Sequence, residues 1–301
     1  MRVTTNMAVD TLVTNIDRSF ERIVRFQTEL SSGTRLNKLS DDPAAIERSL
    51  GLRGELRNIE QFKKNIDDGT GWLELHEITL ADLEGLFIEA RGLAVQGASD
   101  TVNVSQRRAI GEQIDQFVEH AFSLSQSRFR NRFIYAGTRT SEIPYRLQKA
   151  EDGATTGVEP TGPNDGRIER QVGEGTTMQV NVPGSEVFEG ENNAFDVLLR
   201  LRDALNANEV EGIRASLDEV EQVREHISTV RGVIGARTNR MEITRNVLDR
   251  VEVEMTSILS ADEDVDLTAA IVNLRQEQDI FQAALATGNT IVPQSLMDFI
   301  G

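Results

Sequence analysis

Three histidines are the side chains best able to supply a metal ligand or an acid-base group: His76, His120 and His226. Each lies on a different predicted helix, at the flank of an apolar stripe. His76 and Glu77 begin like the HExxH zinc motif, but Leu80 stands where the second histidine is required. We therefore interpret all three as half-buried structural residues rather than as a metal or catalytic site.

The remaining motifs give no other chemistry. The run DEDVD at 262–266 lacks the central glycine and distal glutamate of a calcium loop, so helix capping explains it better. The glycine-rich runs DDGTGW, SSGTRLNK and GEGTTM lack the spacing of a phosphate-binding loop. The chain has no cysteine, hence no thiolate nucleophile. We predict neither an enzyme nor a bound metal or cofactor.

Charge argues against nucleic acid as a partner. Asp and Glu outnumber Lys and Arg by 49 to 32, and the net charge of −17 repels a phosphate backbone. The Arg- and Phe-containing run SRFRNRFIYAG, 127–137, is better interpreted as a helix end passing into a strand. No apolar run of 18 residues and no basic segment followed by an apolar one is present, so we expect neither membrane insertion nor a cleaved signal peptide.

The elements that position these residues are mostly helical. From Val9 to Leu30 apolar residues recur in steps of three and four, which is a heptad seam. Val13, Phe20 and Val24 widen the stripe to an arc of about 160°, against roughly 100° for one core-facing helix. One partner helix would not cover this arc.

The first helix pattern breaks sharply before the second begins. Gly33 suits the left-handed conformation that ends a helix, and Asp41 or Asp42 can cap the next helix, with Pro43 in its first turn. We call residues 33–43 the corner loop.

Heptads also mark the second and later helices. One apolar position recurs from 45 to 94 and another from 213 to 255, and Gly69 and Gly71 weaken the second helix locally. Turn signals and short β-like runs fill residues 151–190. The last helix carries apolar residues on its far side too, including Ile280.

The predicted fold is mainly α: a long antiparallel helical rod or coiled-coil bundle built from both chain ends, with a small β-rich insert domain. Five segments are expected. They are an N-terminal axial helix with the corner loop (1–44), a long helical hairpin (45–135), a β-rich outward insert (136–192), a return helix (193–261) and a C-terminal axial helix (262–301).

Both ends resemble one known family. LSSGTRLNKLSDDPAAI at 30–46 is similar to the N-terminal signature of bacterial flagellins, and RGVIGARTNRME at 231–242 with SILSADEDVDLTAAIVNL at 257–274 resembles the C-terminal one. The forms SDDPAA, RFIYAGTRTSEIPYR and SLMDFIG resemble the hook-filament junction branch of the family, hook-associated protein 3.

The resemblance implies a structural role in the flagellum, outside the cell. Expected partners are other copies of the chain, hook-associated protein 1, flagellin, an export chaperone and the flagellar export apparatus. The subunit interface is expected on apolar residues of both terminal helices, and the corner loop is expected to set the angle between the first helix and the next. The interface residues are Leu12, Ile16, Ile23, Phe26, Leu30, Leu267, Ile271, Leu274, Phe281 and Leu285.

Two alternatives stay open at this point. A flagellin would share the assembly mechanism but form the whole filament. A cytosolic coiled-coil scaffold would be helical along its full length.

Overall fold

The computed structural model describes residues 2–150, 155–190 and 192–291. The helices are α1 Arg2–Ser32, α2 Pro43–Gly97, α3 Val104–Ser125, α4 Gly184–Phe188, α5 Ala194–Ala207, α6 Val210–Glu263 and α7 Leu267–Ile291. The strands are β1 Arg128–Phe129, β2 Arg132–Phe133, β3 Tyr145–Lys149, β4 Thr155–Pro160, β5 Glu169–Gly173 and β6 Thr176–Gln179. The predicted fold class, long helices from both ends around a small β-rich segment, is confirmed. The SLMDFIG motif lies outside the described residues.

The chain forms two compact units, residues 1–58 with 250–301 and residues 59–249. In the first unit α1 and α7 run antiparallel, because Leu12 faces Gly288 while Arg22 pairs with Glu277. The start of α2 and the end of α6 are joined by ion pairs between Arg48 and Asp262, 3.0 Å apart, and between Arg53 and Glu263, 2.6 Å apart.

In the second unit α2 and α6 also run antiparallel and are joined by a series of ion pairs. Arg231 of α6 binds both Glu77 and Glu84 of α2. Arg224 lies 3.6 Å from Glu84 and 2.6 Å from Glu221, and Glu221 in turn lies 3.1 Å from Arg91. Carboxylates and guanidiniums therefore alternate along one side of this helix pair.

The apolar heptads supply the core of the second unit. Each of the predicted α2 positions from Ile59 to Ala94 is buried, as are the α6 positions from Ile213 to Met241. The helices α3 and α5 pack against each other, and four aromatic rings join α5 to the β-rich segment with centroids 5.0–5.6 Å apart. The four rings are Tyr135, Tyr145, Phe188 and Phe195.

Antiparallel hairpins make up the β-rich segment. The pairs are β1 with β2, β3 with β4 and β5 with β6, and the last two contain register shifts. Arg130 and Asn131 form the two-residue turn of the first hairpin, with φ of 45° and 65°. This segment is why the chain is not a continuous coiled coil.

Gly69 and Gly71 are sites of close packing within an unbroken α2. A Cβ on Gly69 would lie 2.8 Å from Met241 Cε and Val180 Cγ1, and one on Gly71 would lie 2.7 Å from the Phe129 ring. Glycine has a low helix propensity, but a larger residue at either position would clash with neighbouring side chains.

We expect Gly69→Ala to lower the free energy of unfolding by about 1–3 kcal/mol, because the new methyl group overpacks the core. The matched control is Gly85→Ala in the same helix, where a Cβ meets no atom within 4 Å. The control should gain up to about 1 kcal/mol from helix propensity. Urea unfolding followed by circular dichroism measures both, and equal effects would contradict the packing explanation.

No helix within the described residues combines the length and the apolar character needed to cross a lipid bilayer.

Candidate assembly surface

The contact between α1 and α7 combines an apolar seam with one polar cluster. Ser19 is buried and donates a hydrogen bond to Glu277 Oε2 at 3.0 Å. The Arg22 guanidinium donates to both carboxylate oxygens of Glu277, at 2.7 and 3.0 Å. The hydrogen bond from Arg22 is the main reason that the pKa of Glu277 lies below its ordinary value of 4.5. The cluster fixes the register of the two helices.

This geometry predicts that acid weakens the pairing of α1 with α7. Because the pKa of Glu277 is lower in the folded state than in the unfolded state, its carboxylate stabilises the folded state fully at pH values above 4.5. This contribution is lost as the pH falls below 4.5 and through the lowered pKa. We expect Glu277→Gln to cost about 1 kcal/mol, since the ion pair is partly exposed. Amide hydrogen exchange in α7 should then be roughly fivefold faster at pH 7. Exchange in α3, in the other unit, is the internal control. A variant that keeps the acid dependence of α7 would contradict the assignment.

The ten predicted interface residues fall into three groups. Ile23 is buried, and three residues of α7 are exposed, namely Leu267, Ile271 and Leu285. The other six are half-buried: Leu12, Ile16, Phe26, Leu30, Leu274 and Phe281. Part of the predicted set therefore faces the intramolecular helix pair, and contact of these residues with neighbouring copies remains a prediction.

A further apolar face of α1 stays exposed. It consists of Val13, Phe20 and Val24, the residues that widen the stripe in the sequence. Phe20 is 55% exposed although its ring lies 6.1 Å from that of Phe281. Phe20 and Val24 line a groove of about 440 Å³ that continues to the corner loop. The predicted interface does not include these three residues, although their spacing in the sequence widens the apolar stripe of α1.

The first unit has a very small core. Among its described residues, the buried apolar ones are Ile23, Ala45 and Ala270. On α7, in contrast, exposed apolar side chains recur between positions 267 and 285: Leu267, Ile271, Val272, Ile280 and Leu285. Since soluble monomers rarely leave long apolar faces uncovered, this unit has the surface of a protein that packs against others.

The corner loop is held by backbone and carboxylate hydrogen bonds. Gly33, with φ of +74°, follows the last residue of α1, and its carbonyl accepts a hydrogen bond from Val265 N at 3.1 Å. Asp42 caps α2 by accepting from Ala45 N at 3.0 Å. Asp41 instead accepts from Lys38 N and Asn37 N, and these bonds lower its pKa. The structure thus separates two roles that the sequence left open, and Pro43 begins α2.

The acidic run 262–266 serves two purposes. Asp266 caps α7 by accepting from Thr268 N at 2.9 Å and Ala269 N at 3.0 Å, as the capping interpretation predicts. Asp262 and Glu263 bind Arg48 and Arg53, which the sequence did not indicate because the partners are over 200 residues apart.

The interpretation of the histidines as half-buried is wrong. His76 is fully buried, because the β-rich segment covers its side of α2, and its Nε2 accepts from Val182 N at 3.3 Å. His120 and His226 are exposed, and His226 Nε2 lies 2.6 Å from the Glu186 carbonyl oxygen. Within the described ranges, no group of three or more His, Asp and Glu side chains is placed to hold a metal ion.

Comparison with known proteins agrees with this architecture. The family description "bacterial flagellin N-terminal helical region" matches residues 3–140, and "bacterial flagellin C-terminal helical region" matches residues 217–300. Flagellin of Bacillus subtilis (strain 168) is 23% identical over 303 residues, covering 95% of this chain and 94% of that protein. The chain belongs to the bacterial flagellin family and is a structural component of the flagellum.

Solved structures share the fold. The flagellar hook associated protein-3 from Legionella pneumophila superposes with a TM-score of 0.62 at 12% identity, covering 70% of this chain and 97% of that chain. The flagellar junction protein FlgL from Legionella pneumophila has a TM-score of 0.57 at 13% identity, covering 73% of this chain and all (100%) of that chain.

Proposed function

We propose that this chain joins the flagellar hook to the flagellin filament and that its terminal helices pack against neighbouring copies there. The observation that carries the proposal is the first unit, which pairs α1 with α7 and still exposes apolar residues along both helices. At about 25 cal/mol per Å², a few hundred Å² buried against each neighbour is worth several kcal/mol. That gain offsets the entropy lost when the terminal helices become ordered.

The position at the junction rests on the sequence forms of the corner loop and of residues 132–146, and on a fold shared with a protein named as a junction protein. In this proposal hook-associated protein 1 is the neighbour on the hook side and flagellin the neighbour on the filament side. The chain reaches the outside of the cell through the flagellar export apparatus, with the help of a chaperone. The insert, 136–192, faces outward and the corner loop sets the angle of α1.

The second candidate function is flagellin itself. It is favoured by the match to Bacillus subtilis flagellin, which extends over nearly the whole of both chains. The cytosolic coiled-coil alternative is not supported, because the chain belongs to a flagellar family and contains β-hairpins.

Immunogold labelling of flagella from the bacterium that encodes the chain separates the two candidates. A junction protein gives one cluster of label where the hook meets the filament, whereas a flagellin gives label along the filament. Labelling along the filament would overturn the proposed position. Purified protein that polymerises alone into long filaments would do the same.

Limited proteolysis of the purified monomer tests the assembly mechanism. We expect cuts within roughly the first 40 and last 40 residues before cuts within residues 59–249, because the first unit buries so few apolar residues. Ends as resistant as the second unit would contradict coupled folding and assembly.

A further inference from the structure

The helix α2 has a second apolar face, on the side away from its buried one. We name it the α2 outer face: Ile78, Ala81, Gly85, Ile88, Gly92 and Val95. These residues recur in steps of three and four, and each precedes a buried seam position by two residues. That offset places the face about 160° around the helix from the seam. Ile78, Ile88 and Val95 are 58%, 55% and 53% exposed.

Packing within the described part of the chain does not require glycine at the two glycine positions of this face. A Cβ on Gly85 or Gly92 would meet no atom within 4 Å, in contrast with Gly69 in the same helix. Glycine inside a helix lowers its stability relative to alanine. Because glycine has no side chain, glycines within an exposed apolar row allow the backbone of a second helix to approach closely.

A matching face exists on α6. The α6 outer face consists of Gly232, Val233, Ala236, Arg240, Ile243 and Val247, all exposed. Its positions from Val233 to Val247 also recur in steps of three and four. A Cβ on Gly232 or on the neighbouring Gly235 would again meet no atom within 4 Å.

The two faces carry opposite charge. Residues 74–95 contain five carboxylates, of which Glu77 and Glu84 already bind Arg231 of the same chain, whereas the charged residue of the α6 outer face is Arg240. Glu74, Asp82 and Glu89 flank the α2 outer face and have no ion-pair partner among the described residues. The same is true of Arg240 in the α6 outer face. Like faces would repel each other, and unlike faces attract.

We propose that the α2 outer face of one copy binds the α6 outer face of a second copy. The contact rests on the proposed function, since it requires assembled copies, and it specifies how residues 59–249 take part. Because the two faces differ, the contact is heterologous, and each copy keeps one free face for the next. Such a contact builds a ring or an open helical series rather than a closed dimer.

Disulfide cross-linking tests the pairing directly, since the chain has no cysteine of its own. In flagella isolated from cells that produce the full chain with Ile88→Cys and Ile243→Cys, oxidation should give a ladder of linked multimers on a non-reducing gel. Each single variant should stay monomeric. A dimer from Ile88→Cys alone, or no ladder from the double variant, would overturn the proposal.

Glycine replacement gives a second, independent measurement. The lone chain with Gly85→Ala and Gly92→Ala should melt roughly 2–4 °C higher or more, because helix propensity rises. The same variant should yield at least a several-fold weaker ladder in the cross-linking background, since the added methyl groups hold the second helix away. An unchanged ladder would show that the face is not in close contact.

Exchanging the charges of one residue on each face tests the pairing by loss and recovery of the cross-linked ladder. Glu89→Arg should weaken the ladder, and adding Arg240→Glu should restore it. The outcomes separate this inference from the proposed function. Gold label at the hook-filament boundary without a ladder refutes the pairing alone, whereas a ladder with label along the filament refutes the junction position alone.

Discussion

Replacing Arg107 with methionine is expected to lower the free energy of unfolding by about 3 kcal/mol. Arg107 is buried, and its guanidinium donates from Nε to the Gly97 carbonyl at 2.8 Å and from Nη2 to the Ser99 carbonyl at 2.9 Å. Its Nη1 donates to the Asn208 side chain. Methionine keeps most of the stem but leaves these oxygens unpaired, and hydrogen bonds to a charged group contribute about 1.5–3 kcal/mol each.

The matched control for Arg107 is its exposed neighbour, Arg108→Met, which should change stability by less than about 0.5 kcal/mol. Denaturant unfolding of both variants makes the comparison. If the two substitutions cost the same, the Arg107 guanidinium does not join the end of α2 to the segment after α5.

The second large effect is a loss of stability in acid caused by His76. Burial, with a smaller contribution from the charge of Arg237, lowers the pKa of His76 to about 3 from an ordinary 6.5. Below pH 6.5, His76 is therefore protonated in the unfolded chain but stays neutral in the folded chain. The free energy of unfolding consequently falls as the pH falls from 6.5 towards 3. Between pH 7 and pH 4 this single group should cost about 3 kcal/mol.

His76→Gln isolates this contribution, because glutamine does not titrate and its carbonyl can accept the hydrogen bond from Val182 N. Unfolding free energies at pH 7 and pH 4 should differ by about 3 kcal/mol less in the variant than in the parent chain. His120→Gln, at an exposed position, should leave the difference unchanged. An acid dependence that survives in His76→Gln would assign the effect to carboxyl groups instead.

Local patterns predicted much of the fold. The helices follow from heptads. The end of α1 follows from Gly33, and the start of α2 follows from Pro43 with Asp41 or Asp42 before it, because capping depends on residues within one turn. The contacts of His76, Gly69 and Arg107 could not be predicted in the same way. Their partners lie on segments that are distant in sequence, and a heptad pattern does not indicate which element packs against the apolar side of the helix.

The candidate assembly surface could also be predicted only in part from the sequence. The width of the apolar arc on α1 could be predicted, because Val13, Phe20 and Val24 add a second row of apolar residues beside the seam. How much of that arc α7 covers depends on the pairing of chain ends more than 250 residues apart. The spacing suits both Asp41 and Asp42 as the cap, and the hydrogen bond from Ala45 N to Asp42 distinguishes them.

The alternating charges along α2 and α6 bear on mechanical behaviour. If α6 slid along α2 by one helical turn, the place of Arg231 would be taken by Ile227, Ser228, Ile234 or Gly235, none of which is charged. The hydrogen bonds from Arg231 to Glu77 and Glu84 would then be lost. Sliding of one helix along the other therefore breaks the contacts of one guanidinium with two carboxylates at once, so these ion pairs oppose axial shear within the helix pair.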